Sequence, residues 1–296
     1  MRCEAVKSKD YRIRIYELEE LYNICKKVSS IDLGRTGKTE RSFILEDIVE
    51  KLLLHVKTII IIFMTNKAQN NDFKELDISA IASLARNIMD CSNLYYYFGE
   101  RKINKEELRL RFNISNLHAS LENKKIYNKL NFKQGGFRWS IEETSILNTK
   151  RDIKESDEYK KLSKQEKERL PLGEKQKKNY CKKRIFDENL ESSFYNLLSQ
   201  SVHSFNGGLG NNSTKSELLM FGNYFDIIKL LFISCEISII YTSNVISDYL
   251  ALIKRLNKNL DLEEKSKIIA LKDTKYLIKW IETIRKEYNF DLFKLS

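Results

Sequence analysis

The chain has 296 residues, 42% of them apolar and 31% charged, so it can build a real core and still show a large solvated surface. One proline and ten glycines supply too few turn residues for a β-sandwich or barrel, and fewer than the strand–helix turns of an α/β fold use, which leaves an all-α multi-helix bundle. A net charge of +11 favours RNA or another polyanion as partner, although a chain this rich in Lys, Ile and Asn also reads as the product of AT-rich coding.

The first element is a short amphipathic helix over Arg12–Val28, with Ile15, Leu18, Leu21, Tyr22 and Cys25 on one side. The loop after it contains Gly34-Arg35-Thr36-Gly37-Lys38-Thr39. A phosphate loop needs its first glycine five positions before Gly37, and position 32 is aspartate, so that reading fails. Ser42–Asn66 is a long helix with Phe43, Ile48, Leu52, Val56, Ile59 and Phe63 near a 3.6 period, widened by Leu45, Val49 and Ile60. His55 lies within it and reads as a core or boundary histidine. Asp77 caps a helix over Ile78–Phe98 that Gly99 ends, and Lys105–Leu130 forms another packed back against it. Capping-box spacings at Ser140–Glu143, Ser163–Glu166 and Thr214–Glu217 mark further helix starts. So do Asp187 and Asp261, and Lys272–Tyr288 is a final amphipathic helix.

Between Lys150 and Glu188 there are 14 basic and 9 acidic residues, little apolar periodicity, and the only proline, Pro171. The stretch 150–187 is therefore expected to be a charged excursion, mobile and solvent-facing, or a linker within a single helical domain spanning 1–296. The longest apolar runs are Thr58–Met64 and Ile227–Ile240, the second interrupted by Lys229 and Glu236. Neither reaches the roughly 20 residues of a spanning helix, so both read as buried core helices and no membrane insertion is expected. Met1–Asp10 has no apolar signal region. The five cysteines, at 3, 25, 91, 181 and 235, form no Cys-x-x-Cys pair, which argues against a zinc knuckle or disulfide framework and fits a reducing cytoplasm.

Three histidines limit the acid–base chemistry open to the chain near neutral pH. His203 stands where the helix carrying Ser199 runs into a Gly/Asn/Ser-rich loop, and Ser199 and His203 are one helical turn apart. A serine hydroxyl could orient the imidazole, but no Gly-x-Ser-x-Gly elbow is present, so a structural bond closing the helix end is the simpler reading. Arg86 and Asp90 are spaced i, i+4 and form either an intrahelical pair or an inward-pointing arginine that meets another helix. Arg111 and His118 lie seven apart, on one face and about 10 Å apart along a helix axis. In that arrangement a histidine could move protons at a ribose hydroxyl while the arginine holds the phosphate. The histidines show no His-x3-His or Glu-x-x-His spacing, so neither a metal nor a cofactor is expected.

Two resemblances follow from these residues. Leu84-Ala85-Arg86-Asn87-Ile88-Met89-Asp90 with Leu94-Tyr95-Tyr96-Tyr97, and Tyr195-x-x-Leu198-Ser199-x-x-Val202-His203, resemble the two motifs of an uncharacterised bacterial all-helical family of the DUF5677 type. Asp90 stands where that pattern more often has glutamate, which shortens the carboxylate's reach. This resemblance implies a bundle that brings Arg86, Asp90, Ser199 and His203 together. Arg111-x6-His118 resembles the Arg-x(4–6)-His motif of HEPN ribonucleases, though Phe112 replaces the polar residue usual after the arginine. That second resemblance implies metal-independent RNA cleavage by a dimeric toxin or defence effector. The alternative is a non-catalytic module that binds nucleic acid or a protein partner, its Arg and His residues serving as a structural brace.

Overall fold

The computed structural model describes residues 9–31, 39–68, 76–100, 102–130, 137–173, 184–200 and 223–288, and helix is the only regular structure among them. In chain order the helices are α1 (Lys9–Ile31), α2 (Glu40–Ala68), α3 (Ile78–Gly99), α4 (Lys105–Lys129), α5 (Phe137–Glu155), α6 (Asp157–Lys160) and α7 (Lys164–Arg169). A 3₁₀ turn (Leu170–Leu172) follows, then α8 (Glu188–Gln200), α9 (Asn223–Leu252), α10 (Lys254–Asn257), α11 (Leu262–Ala270) and α12 (Lys275–Tyr288). The architecture is an all-α multi-helix bundle. The chain divides into two packing units, Met1–Tyr95 with Arg184–Ser296, and Tyr96–Lys183.

The larger unit is built around α9, which packs against α1, α2, α8, α10 and α11. Every residue from Leu230 to Ile246 is buried, so the helix has no solvated face and its sequence is apolar nearly all round. The apolar run read as broken by Lys229 and Glu236 is thus part of one continuous helix. The segment Lys229–Leu252 is long and apolar enough to cross a bilayer, and the other helices cover it. Helix α1 faces it with Ile15, Leu18, Leu21, Cys25 and Val28. On α2 the buried stripe is Leu45, Val49, Leu52, Val56, Ile59 and Phe63, while Phe43, expected inside, is 42% exposed in the first turn. Asp77 caps α3 by accepting from Ala80 N at 2.9 Å, and Asp187 caps α8 by accepting from Leu190 N at 3.0 Å. Asp261 and Glu264 close a reciprocal box at the start of α11. The expected box at Thr214–Glu217 lies outside the described residues.

In the smaller unit α4 packs against α5, and α6 and the 3₁₀ turn pack against both. Its core is Leu110, Ile114, Leu117, Ile146, Ile153, Tyr159 and Leu170, with Leu121 and Leu162 against it. Within the described part of 150–187, Ile153, Tyr159 and Leu170 belong to this core, while most of the charged residues between them are exposed. Periodicity could not reveal Tyr159 and Leu170, because α6 and the 3₁₀ turn are too short to repeat a stripe. Tyr159 also donates its hydroxyl to Lys167 O at 2.6 Å, tying α6 to α7. Ser163 and Glu166 form the expected capping box. Ser140 does not start a helix. Helix α5 begins at Phe137, directly after Gly135 and Gly136, where glycine's backbone freedom makes a helix costly to extend.

Candidate functional site

The candidate residues fall in separate places. On α3, Arg86 Nε approaches Asp90 Oδ2 at 4.0 Å, the intrahelical pair that i, i+4 spacing allows. Both side chains are about a third exposed, 30% and 37%, so the pair adds only ~0.3–0.5 kcal/mol. The second contact comes from α8. Tyr195 donates its hydroxyl to Asp90 Oδ2 at 3.4 Å, and the Arg86 guanidinium stands 5.7 Å from the Tyr195 ring centroid. The segments holding the two family-like motifs thus meet through Tyr195. Phe194 and Leu198 bury the inner face of α8, and Tyr241 on α9 donates to Glu191 at 3.0 Å, one turn before Tyr195.

Ser199 lies one turn beyond Tyr195. Its hydroxyl oxygen is buried and has no hydrogen-bond partner among the described residues, and the same holds for Arg86 Nε. His203 lies outside the described residues, so the Ser199–His203 bond and an Arg86–His203 approach have no geometry here.

Arg111 lies near the start of α4. It is 2% exposed and closed inside the smaller unit. Its guanidinium donates to Glu100 Oε2 at 3.0 Å, to the Glu107 carboxylate and to the Tyr97 carbonyl, and stands 4.9 Å from the Tyr97 ring centroid. An arginine that already holds two carboxylates and a carbonyl has no open fork for a phosphate. Its evident work is to tie the end of α3 to the start of α4. His118, two turns on, is part-buried, and its Nδ1 lies 2.7 Å from Gly173 O. With a carbonyl as partner Nδ1 must carry the proton, so this nitrogen anchors the turn after α7. Gly173 sits at φ +85°, and a Cβ there would come within 2.5 Å of Leu121 Cδ1, so only glycine suits the turn that His118 holds.

One polar group escaped the sequence reading. Glu236, noticed only as an interruption of an apolar run, is fully buried on α9 and accepts from Arg14 of α1, with Arg14 Nη2 to Glu236 Oε2 at 3.0 Å. Arg14 also pairs with Glu17 and stands 5.0 Å from the Tyr276 ring centroid. Burial pushes the Glu236 carboxyl up, against the pull of the Arg14 bond and charge. A lone charge within an apolar helix is the signal that could have marked it, since a buried charge requires a partner. With Glu236 fully buried, the pair reads as a core brace.

Other chemistry is sparse. Burial pushes the thiols of Cys25 and Cys235 well up, and that of Cys91 up to about 11, so none is a ready thiolate. Burial, helped by the Lys51 charge, lowers the pKa of His55, which sits at the core boundary and stays neutral. No group of His, Cys, Asp and Glu among the described residues is placed to hold a metal. Comparison with protein-family models, with curated proteins and with solved structures finds no match for this chain.

Proposed function

We propose that this protein is a non-catalytic helical module that binds nucleic acid, and that its arginines and histidines of catalytic appearance are internal braces. The observation that carries the reading is the state of Arg111: 2% exposed, with its guanidinium taken up by Glu100, Glu107 and the Tyr97 carbonyl. His118 supports it through its Nδ1, which ties the turn after α7 at Gly173 O and gives the ring a bracing role. The partner class comes from the net charge of +11, which favours phosphate polymers. The test is incubation with labelled structured RNA in the presence of chelator. Binding that weakens steeply with salt, without cleavage, is the expected result, and His118→Ala should bind as the wild type does. Cleavage that disappears in His118→Ala would replace this reading with a ribonuclease.

A second reading rests on one observation. Arg86 Nε and Ser199 Oγ are both buried without a hydrogen-bond partner among the described residues, on the segments that resemble the DUF5677-type motifs. In that reading His203 completes a centre with Arg86, Asp90 and Ser199, and the protein is a metal-independent effector acting on RNA. Loss of cleavage in His203→Ala, with unchanged thermal stability, is the result that would favour it over the brace.

A further inference from the structure

The helices packed on α9 are held to it by different means. Helix α1 spans 23 residues and buries Ile15, Leu18, Leu21, Ile24, Cys25 and Val28. Its Arg14 bonds Glu236, whose side chain has no exposure, so water does not compete for that bond. Helix α8 is 13 residues long and buries Phe194 and Leu198 alone. An isolated helix of that length is marginal in water, so α8 depends on its seat. Phe186, just ahead of it, adds one more apolar contact: its ring centroid stands 5.2 Å from that of Phe194 and 6.1 Å from that of Tyr241 on α9.

The rest of the seat is polar. Glu191, Tyr195 and Ser199 follow one another at i, i+4 and i+8 and form one stripe along α8. Glu191 accepts from the Tyr241 hydroxyl at 3.0 Å. Tyr195 donates to Asp90 of α3 at 3.4 Å, and the Arg86 guanidinium stands 5.7 Å from its ring centroid. Ser199 Oγ is buried without a hydrogen-bond partner among the described residues, so seating it costs free energy. The Asp90 side chain is 37% exposed, which lets water replace the tyrosine hydroxyl when it leaves. Such bonds fix where a helix sits but add little net stabilisation, and breaking them strands no buried charge.

We propose that α8 is a releasable strap: it lifts off α3 and α9 while the rest of the larger unit stays folded, and the Tyr195–Asp90 and Tyr241–Glu191 bonds set how often it does so. Lifting carries Tyr195 away from Arg86 and Asp90, opens Tyr241 to water and gives Ser199 Oγ a water partner. The unit then has a closed state, with Arg86 and Asp90 partly covered by Tyr195, and an open state that presents both to solvent. The inference goes beyond both functional readings above and rests on neither.

The experiment is hydrogen exchange of the full chain, read by mass spectrometry and corrected for intrinsic rates. Amides of Ser192–Gln200 should exchange at least about 100-fold faster than those of Phe232–Ile246 in α9, because opening a strap needs less free energy than unfolding the unit. Tyr195→Phe and Tyr241→Phe each delete one hydroxyl and keep the ring. Each should speed α8 exchange about 3–10-fold. Ile24→Val, on the buried face of α1, weakens the unit away from the strap. It should speed α9 exchange about 3–10-fold and leave α8 within about two-fold of wild type, because Ile24 stays packed while the strap is open. Circular dichroism confirms that each variant folds. Equal protection of α8 and α9 in wild type, or equal acceleration of both by Ile24→Val, overturns the strap, since α8 would then leave only when the unit unfolds. Fast α8 exchange that neither hydroxyl deletion changes overturns the role given to the two bonds.

Discussion

The two units solve the problem of a charged helical chain in opposite ways. The larger one surrounds a single helix, α9, whose residues from Leu230 to Ile246 are all buried, and nearly balances its surface charge. Among its described residues the Glu236 carboxylate is buried on this helix and held by Arg14. The smaller unit gathers a thin core from α4 and α5 with the short α6 and 3₁₀ turn against them, and its residues carry a net charge of +10. A small core leaves less hydrophobic stabilisation to offset chain entropy, so specific polar ties such as Arg111 and His118 matter more there.

That contrast can be broken by removing one group from each core. Glu236→Ala strands the Arg14 guanidinium in a buried setting, and the expected loss is about 3 kcal/mol, at the lower end for a broken buried pair because Glu17 still holds Arg14. Ile153→Ala, at a site with no exposure, should cost about 2–3 kcal/mol through lost burial and a cavity. The two tryptophans make the outcomes separable, because Trp139 belongs to the smaller unit and Trp280 to the larger. In urea, Glu236→Ala should move the Trp280 transition in the Trp139→Phe background, and Ile153→Ala should move the Trp139 transition in the Trp280→Phe background. A single transition shifted equally by both substitutions would mean that the units unfold as one.

How far the sequence revealed this arrangement differs between the units as well. Long helices announce themselves: α2, α3 and α4 start and stop within about three residues of where periodicity and caps place them, because many apolar residues vote for one face. The caps at Asp77, Asp187, Ser163 and Asp261 were readable because an N-cap needs only local chemistry. The burial of Tyr159 and Leu170 was not, since they sit on a four-residue helix and a 3₁₀ turn that carry no periodic mark. The site residues show the same limit. Spacing correctly put Arg86 beside Asp90, but it could not show that Tyr195 would join them or that Glu100 and Glu107 would close around Arg111. Pairing within a helix is written in register, whereas pairing between helices depends on packing that no single segment encodes.

Smaller effects sharpen the role of the turn after α7. Gly173→Ala places a side chain at φ +85° and against Leu121, so the smaller unit should lose about 1–2 kcal/mol, read from the Trp139 transition. His118→Ala removes the bond to Gly173 O and should cost about 1 kcal/mol in the same measurement. A loss of RNA affinity in His118→Ala beyond what this destabilisation explains would move the residue from brace to binding surface.

Acidification should act on the two units with opposite sign. Glu236 has its carboxyl pushed above the ordinary range by burial, so the folded larger unit takes up this proton at a higher pH than the unfolded chain does. Its contribution therefore grows more favourable as pH falls through that raised value toward the ordinary carboxylate range. In the smaller unit, Glu122, Asp157 and Glu158 are held below their ordinary values, chiefly by hydrogen bonds from Lys125, Lys160 and Lys161. Whatever they contribute is present above the ordinary range and is lost as pH falls through their depressed values, and their exposure keeps it small. Urea titrations from pH 7 downward, followed at Trp280, should show wild type gaining stability relative to Glu236→Gln, which carries no titrating group. If wild type instead loses ground to Glu236→Gln on acidification, the attraction of Arg14 outweighs burial at this carboxyl. The pair would then be a net stabilising bond and not a charge tolerated for the sake of helix register.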